Sequence, residues 1–255
     1  MSRYLEGRRA LVTGASRGIG RAIAERLARA GANVAACARS EAAIREVAEA
    51  TGGIAVPMDV ADPDSIATAL ERVNDALGGI DILVNNAGVA WSKPYHRSDD
   101  EMWATMMNVH ATSVYRLCRA VIPGMIEGGW GRVVVIASNA GLTGYAYSAA
   151  YCASKHAAVG YMRAVALEIA KSPVSMNAVC PGWVDTDMAR DAVERIANAT
   201  GKDSAEAKKA LETMSPQGRM VSAEEVAETV AFLCHEEARG IHGQSLVIDG
   251  GALQR

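Results

Sequence analysis

At 255 residues the chain is long enough for one α/β domain or two small ones built around a substantial core. Half of it is apolar and 22% is charged, the balance of a soluble globular protein, and a formal net charge of −3 excludes the basic footprint of a nucleic-acid binder. No uncharged apolar run approaches the ~18–20 residues of a membrane span. The amino terminus has no apolar leader stretch, and the five cysteines form no Cys-x-x-Cys pair, so a soluble cytoplasmic protein with reduced thiols is expected.

In chain order, a short apolar strand at 10–13 runs into a glycine-rich loop and a helix at 18–30, and a strand at 33–38 precedes a helix at 41–50. A strand at 54–58 leads to a helix at 63–77, where Asp62 precedes Pro63 as an N-cap precedes proline at the first helical position. A strand at 82–84 leads to one long helix at 99–125, and a strand at 132–137 leads to a helix at 151–170. After a strand at 174–179 the chain makes a polar, helix-forming excursion at 186–216, then a helix at 223–235 and a last strand at 245–248. Strands without polar alternation suit a parallel sheet covered on both faces. The alternation of strand and helix predicts a single-domain, doubly wound, Rossmann-type α/β fold with a seven-stranded parallel sheet. No linker or internal repeat divides it. An excursion as long as 186–216 is expected to be a lid or binding element, the alternative being a solvated pair of surface helices.

The chemistry-bearing residues follow the same order. Strand 10–13 enters Gly14-Ala-Ser-Arg-Gly-Ile-Gly20, whose glycines permit a tight turn and whose following helix offers unpaired N–H groups to a pyrophosphate. The end of the second strand lacks the carboxylate that would hold a ribose 2′-hydroxyl. Instead Arg39 follows Ala38, and with Arg17 it would pair a 2′-phosphate, which favours NADP(H) over NAD(H). Tyr151 and Lys155 lie four residues apart on one helical face, thirteen residues after Ser138. A free phenol titrates near 10, and a neighbouring ammonium is expected to draw it towards neutrality for acid–base work on a carbonyl or alcohol. The five histidines have no metal-ligand spacing, and Ser16 is not in Gly-x-Ser-x-Gly, so neither a metal centre nor a hydrolase triad is expected. Trp91, Tyr95, Tyr145, Tyr147 and Trp183 follow strand ends and are candidate pocket aromatics.

Together these residues resemble the short-chain dehydrogenase/reductase family along nearly the whole chain. Thr13-Gly-Ala-Ser-Arg-Gly-Ile-Gly20 is similar to its cofactor loop, Asp59-Val60 to its adenine-contacting pair and Asn85-Asn-Ala-Gly88 to the turn after its fourth strand. Asn108, Ser138, Tyr151 and Lys155 match its catalytic tetrad in order and spacing, and Pro181-Gly182 with Thr186 match the segment around the nicotinamide. The resemblance implies cofactor contacts at Gly14, Ser16, Arg17, Gly18, Ile19, Gly20, Arg39, Asp59, Val60, Asn86, Ala87, Gly88, Tyr151, Lys155, Pro181, Gly182, Val184 and Thr186. It also implies that Tyr151 exchanges the proton, Ser138 holds the substrate oxygen, Lys155 lowers the tyrosine pKa and binds the nicotinamide ribose, and Asn108 anchors a water leading to solvent.

Within the family the chain looks most like reductases of 3-oxoacyl thioesters, including fatty-acid and aromatic polyketide ketoreductases. It departs from carrier-protein reductases in presenting Glu127-Gly-Gly-Trp130 where basic residues often stand, which leaves a coenzyme A thioester or a free or cyclic ketone open. Lys202, Lys208 and Lys209 on the excursion could meet phosphates. Helix 151–170 is apolar nearly all round, so a helix-to-helix contact between subunits is expected. The resemblance implies a homotetramer or homodimer with a small-molecule carbonyl or alcohol substrate. A non-catalytic nucleotide sensor, which would need the glycines but not the tetrad, is the reading from another class.

Overall fold

The computed structural model describes residues 3–253. Seven strands, β1 (Arg9–Thr13), β2 (Asn33–Ala38), β3 (Ile54–Pro57), β4 (Ile82–Asn85), β5 (Gly131–Ile136), β6 (Val174–Pro181) and β7 (Ser245–Ile248), form one parallel sheet in the order β3-β2-β1-β4-β5-β6-β7. The order reverses between β1 and β4, the place where an open α/β sheet leaves a crevice at the carboxyl ends of its strands. Each strand lies within two residues of its predicted bounds.

The helices are α1 (Gly18–Arg29), α2 (Glu41–Thr51), α3 (Pro63–Leu77), α4 (Asp100–Met107), α5 (Ser113–Glu127), α6 (Ala149–Glu168), α7 (Asp187–Thr200), α8 (Ser204–Glu212) and α9 (Ala223–Leu233). Local chemistry sets their ends. Asp62 accepts from the Asp64 N–H at 2.9 Å with Pro63 at the first helical position, and Ser222 with Glu225 closes a reciprocal capping box on α9. One layer of helices buries Leu83, Val133, Val135, Leu117 and Met162 on one face of the sheet, and the other buries Ile23, Leu27, Val84, Val134 and Val230 on the opposite face. Each such side chain contributes about 1.5–3 kcal/mol by leaving water.

One helix departs from expectation. The predicted helix at 99–125 is broken by a five-residue π-turn, Asn108–Thr112, between α4 and α5. A π-turn places one extra residue in a turn and shifts the helical face, which a 3.6-residue pattern of apolar positions does not register. The excursion at 186–216 is α7 and α8, joined where Gly201 takes a left-handed φ of 71°. The two helices close over a small apolar cluster of Ala189, Ala192, Val193, Ala207, Leu211 and Met220, so their inner faces are not solvated. At the amino edge of the sheet the Trp130 ring lies between the guanidinium groups of Arg8 (3.9 Å) and Arg132 (4.3 Å) and donates to Glu236 at 2.7 Å. The Glu127–Trp130 turn is thereby fastened to the body of the protein. Among the described residues no helix is long and apolar enough to cross a membrane, and all five cysteines are free and buried.

Candidate active site

The glycine loop and the turn after β4 are stitched together at the crevice. The Asn86 side-chain amide donates to the Thr13 and Gly14 carbonyls (2.9 and 3.2 Å), while the Thr13 hydroxyl accepts from the backbone N–H groups of Asn86 and Ala87. Gly14 and Gly18 take left-handed φ values of 66° and 54°, and a Cβ at Gly20 would collide with the Gly14 carbonyl oxygen and the Asn86 amide. Gly20→Ala is therefore expected to lower the melting temperature by several degrees and to weaken NADPH binding at least tenfold in a fluorescence titration. Unchanged binding would mean that this packing does not shape the loop. Arg17, at the N-cap of α1, makes no side-chain cap, so the first-turn N–H groups of α1 have no capping side chain. Ser16 and Ile19 flank it half-buried.

Arg39 lies exposed at the end of β2 and forms no ion pair among the described residues. Arg17 is held 3.7 Å from Asp187, the first residue of α7. Asp59 accepts from the Ala61 N–H at 2.9 Å beside buried Val60. Asn108, at the start of the π-turn, donates to the Ala61 carbonyl (2.9 Å) and accepts from Arg116 (3.3 Å), so its side chain reaches the Asp59–Ala61 corner. Gly88 abuts the His110 ring, Gly182 packs against Asp249, Val184 forms a parallel bridge with Val221, and Thr186 packs over Gly18.

Ser138, Tyr151 and Lys155 converge beneath this edge. Ser138 lies two residues beyond β5, 8% exposed, with its hydroxyl 3.5 Å from the Pro181 carbonyl. Lys155 is 6% exposed, and its Nζ donates to the Ile136 carbonyl at 3.0 Å and lies 5.7 Å from the Tyr151 ring centroid. The balance of charge and burial reverses one expectation. Burial pushes the Tyr151 phenol up to about 12, with the Ser138 hydroxyl offsetting part of the rise, and burial draws the Lys155 ammonium down to about 8. Burial is the largest influence on the phenol in the unliganded protein. At neutral pH Tyr151 therefore carries its proton and Lys155 its charge, the ionisation that suits donation to a carbonyl.

Two supporting residues escaped the sequence reading. Asn139, next to Ser138, donates to Asp249 at 3.2 Å, and Asp249 in turn accepts from the N–H groups of Gly251, Ala252 and Leu253. This buried carboxylate ties the carboxyl-terminal turn to the Ser138 loop. The only sequence trace is an isolated Asp before Gly250-Gly251. Of the candidate aromatics, Trp91, Tyr95 and Tyr147 are exposed, and Tyr147 adopts a left-handed φ of 65° while its carbonyl accepts from the Lys93 N–H at 2.8 Å. Such backbone strain in a bulky residue persists only where its surroundings hold it. Tyr145 is half-buried beside Asn139, whereas Trp183 packs into the apolar cluster under α7 and α8.

A doubly wound sheet with a half-buried phenol and a buried hydroxyl and ammonium gathered beside its glycine loop defines an NAD(P)-dependent oxidoreductase acting on C=O or CH–OH groups. The chain belongs to the short-chain dehydrogenase/reductase family: a family profile described as Enoyl-(Acyl carrier protein) reductase matches residues 14–252. It is similar to the 3-oxoacyl-[acyl-carrier-protein] reductase FabG of Vibrio cholerae, 39% identical over 249 residues that cover 97% of this chain and 98% of that protein. The enzyme of the same name from Escherichia coli is 39% identical over 248 residues, covering 96% and 97%. Among solved structures, a variant of actinorhodin polyketide ketoreductase with NADPH superposes with a TM-score of 0.94 at 36% identity over 99% of both chains. L-sorbose reductase from Gluconobacter frateurii, complexed with NADPH and L-sorbose, superposes at 0.93 with 31% identity over 100% of both.

Proposed function

We propose that this protein reduces the ketone of a 3-oxoacyl thioester, on coenzyme A or an acyl carrier, to a secondary alcohol with NADPH. The observation that carries the reading is a half-buried Tyr151 gathered with Ser138 and Lys155, in a chain 39% identical to 3-oxoacyl-[acyl-carrier-protein] reductases over nearly its full length. Tyr151 Oη delivers its proton to the ketone oxygen, and Ser138 Oγ holds that oxygen as charge develops on it.

The residues present fit a dinucleotide. Lys155 uses one of its three N–H donors on the Ile136 carbonyl, which leaves two for the nicotinamide ribose hydroxyls. The uncapped start of α1 suits a pyrophosphate, and Arg39, free of ion pairs among the described residues, suits a 2′-phosphate. When bound, NADPH supplies the hydride. Asn108 connects Lys155 to solvent through a water, and Asp59 with Val60 contacts the adenine. The Thr186 segment closes over the nicotinamide end, with 186–216 as a lid hinged beside it. Arg39→Ala tests the cofactor assignment. The Michaelis constant for NADPH should rise roughly 10–100-fold, the weight of one charge-assisted hydrogen bond, while that for NADH changes less than about threefold. Equal losses for both cofactors would remove Arg39 from the phosphate site.

Free or cyclic ketones are the second reading, favoured by the exposed aromatic rim of Trp91, Tyr95 and Tyr147 and by the likeness to L-sorbose reductase. Turnover of acetoacetyl-coenzyme A against a panel of cyclic ketones separates the two. A cytoplasmic location accords with five free, buried thiols. A homotetramer, or a homodimer, accords with the outer face of α6, where Gly160, Ala164 and Leu167 lie exposed in the single chain and the small residues permit close approach of a second helix.

A further inference from the structure

We propose that His110 is a positioning residue that sets the catalytic helix against the cofactor turn, an inference that rests on the proposed role of Tyr151. His110 stands in the π-turn, 3% exposed. Its Nε2 is 3.1 Å from the backbone N–H of Val89, the residue that follows the Asn86–Gly88 turn, so Nε2 must accept. Nδ1 therefore carries the proton of the neutral ring and donates to Ser154 Oγ at 2.8 Å. Ser154 passes its own proton to the Tyr151 carbonyl at 2.8 Å. The imidazole also meets the Tyr151 ring edge-on, with centroids 5.4 Å apart and planes at 90°.

Every polar atom in this relay is matched, and only one tautomer satisfies it. The neutral form is also the one its surroundings favour, because burial and the Lys155 charge hold the imidazole well below its ordinary pKa. A Cβ at Gly88 would stand 3.2 Å from Nε2, so glycine allows the turn to sit against the ring. The relay joins three segments: the turn that carries Asn86 and Gly88, the π-turn that begins at Asn108, and the first turn of α6 that carries Tyr151. A shift of about 1 Å in a proton donor costs on the order of a hundredfold in rate, so a side chain that holds Tyr151 by both ring and carbonyl acts on turnover without touching substrate.

The test compares four single variants and one double variant with wild type in one assay, with NADPH binding and melting temperature measured for each. His110→Phe keeps the ring against Tyr151 and removes both hydrogen bonds; its kcat should fall roughly ten- to hundredfold with NADPH affinity changed less than about threefold. His110→Asn, which can still donate to Ser154, should recover most of kcat, whereas His110→Gln, which reaches only towards Val89, should not. Ser154→Ala, a minimal change that will fold even if the histidine variants do not, should lower kcat similarly and should be non-additive with His110→Phe. Full kcat in His110→Phe or in Ser154→Ala, additivity of the two, or losses in all variants that follow only their melting temperatures would overturn the proposal. A wild-type protein without turnover would instead overturn the function on which it rests.

Discussion

Tyr151→Phe should lose roughly 10²–10⁴-fold in kcat for ketone reduction, the weight of a positioned general acid, while binding NADPH within about twofold of wild type. The substitution removes one hydroxyl and keeps the ring against His110, so the packing of α6 persists and stability should change by about 1 kcal/mol or less. Steady-state turnover and calorimetry read the two effects separately. The ionisation of the same phenol supplies an independent check. Because burial pushes Tyr151 up to about 12, ultraviolet titration of the unliganded protein should show no phenolate difference between wild type and Tyr151→Phe at pH 10. A difference there would mean that burial does not raise the phenol.

Lys155→Met carries the second large effect, and it runs in opposite directions for activity and stability. Loss of the ammonium should reduce kcat/KM roughly 10²–10³-fold by removing its charge from beside the reacting oxygen and its donors from the nicotinamide ribose. Stability at pH 7 should nevertheless rise by about 1–3 kcal/mol, because a buried cation with one carbonyl partner is replaced by an apolar chain of similar length. The pH dependence has a definite sign. The folded-state pKa of about 8 lies below the ordinary lysine value of 10.5, so between these limits the unfolded chain holds a proton that the folded chain has released. The Lys155 contribution to wild-type stability therefore climbs from pH 8 to 10.5, and below pH 8 the full cost of the buried charge is present. The variant lacks this climb. Denaturant titrations of both proteins at pH 7 and 9.5 measure it, and parallel changes would exclude a buried charge at this position.

The legible part of the molecule was that written in local patterns. Val- and Ile-rich runs such as Arg132–Ala137 marked strands buried on both faces, Asp62-Pro63 marked a helix start to the residue, and Tyr151 with Lys155 fell on one face of α6 as their spacing required. What escaped notice depends on segments far apart in the chain or on a local irregularity. Asn139 meets Asp249 across 110 residues, and His110 reaches Val89 and Ser154 only because a π-turn rotates it inward. The ionisation of Tyr151 is not legible in the sequence for a related reason. Spacing shows that a cation is near, but how much water the fold excludes decides which effect prevails.

The most direct measurement follows the hydride itself. Wild-type protein is incubated with acetoacetyl-coenzyme A and NADPH deuterated at the transferable nicotinamide carbon, and the product is read by mass spectrometry. The proposed function predicts one deuterium on the new carbinol carbon per NADPH consumed, and none above background with Tyr151→Phe. Bound but unconsumed NADPH across thioesters and ketones alike, or equal deuterium incorporation by wild type and Tyr151→Phe, would contradict it.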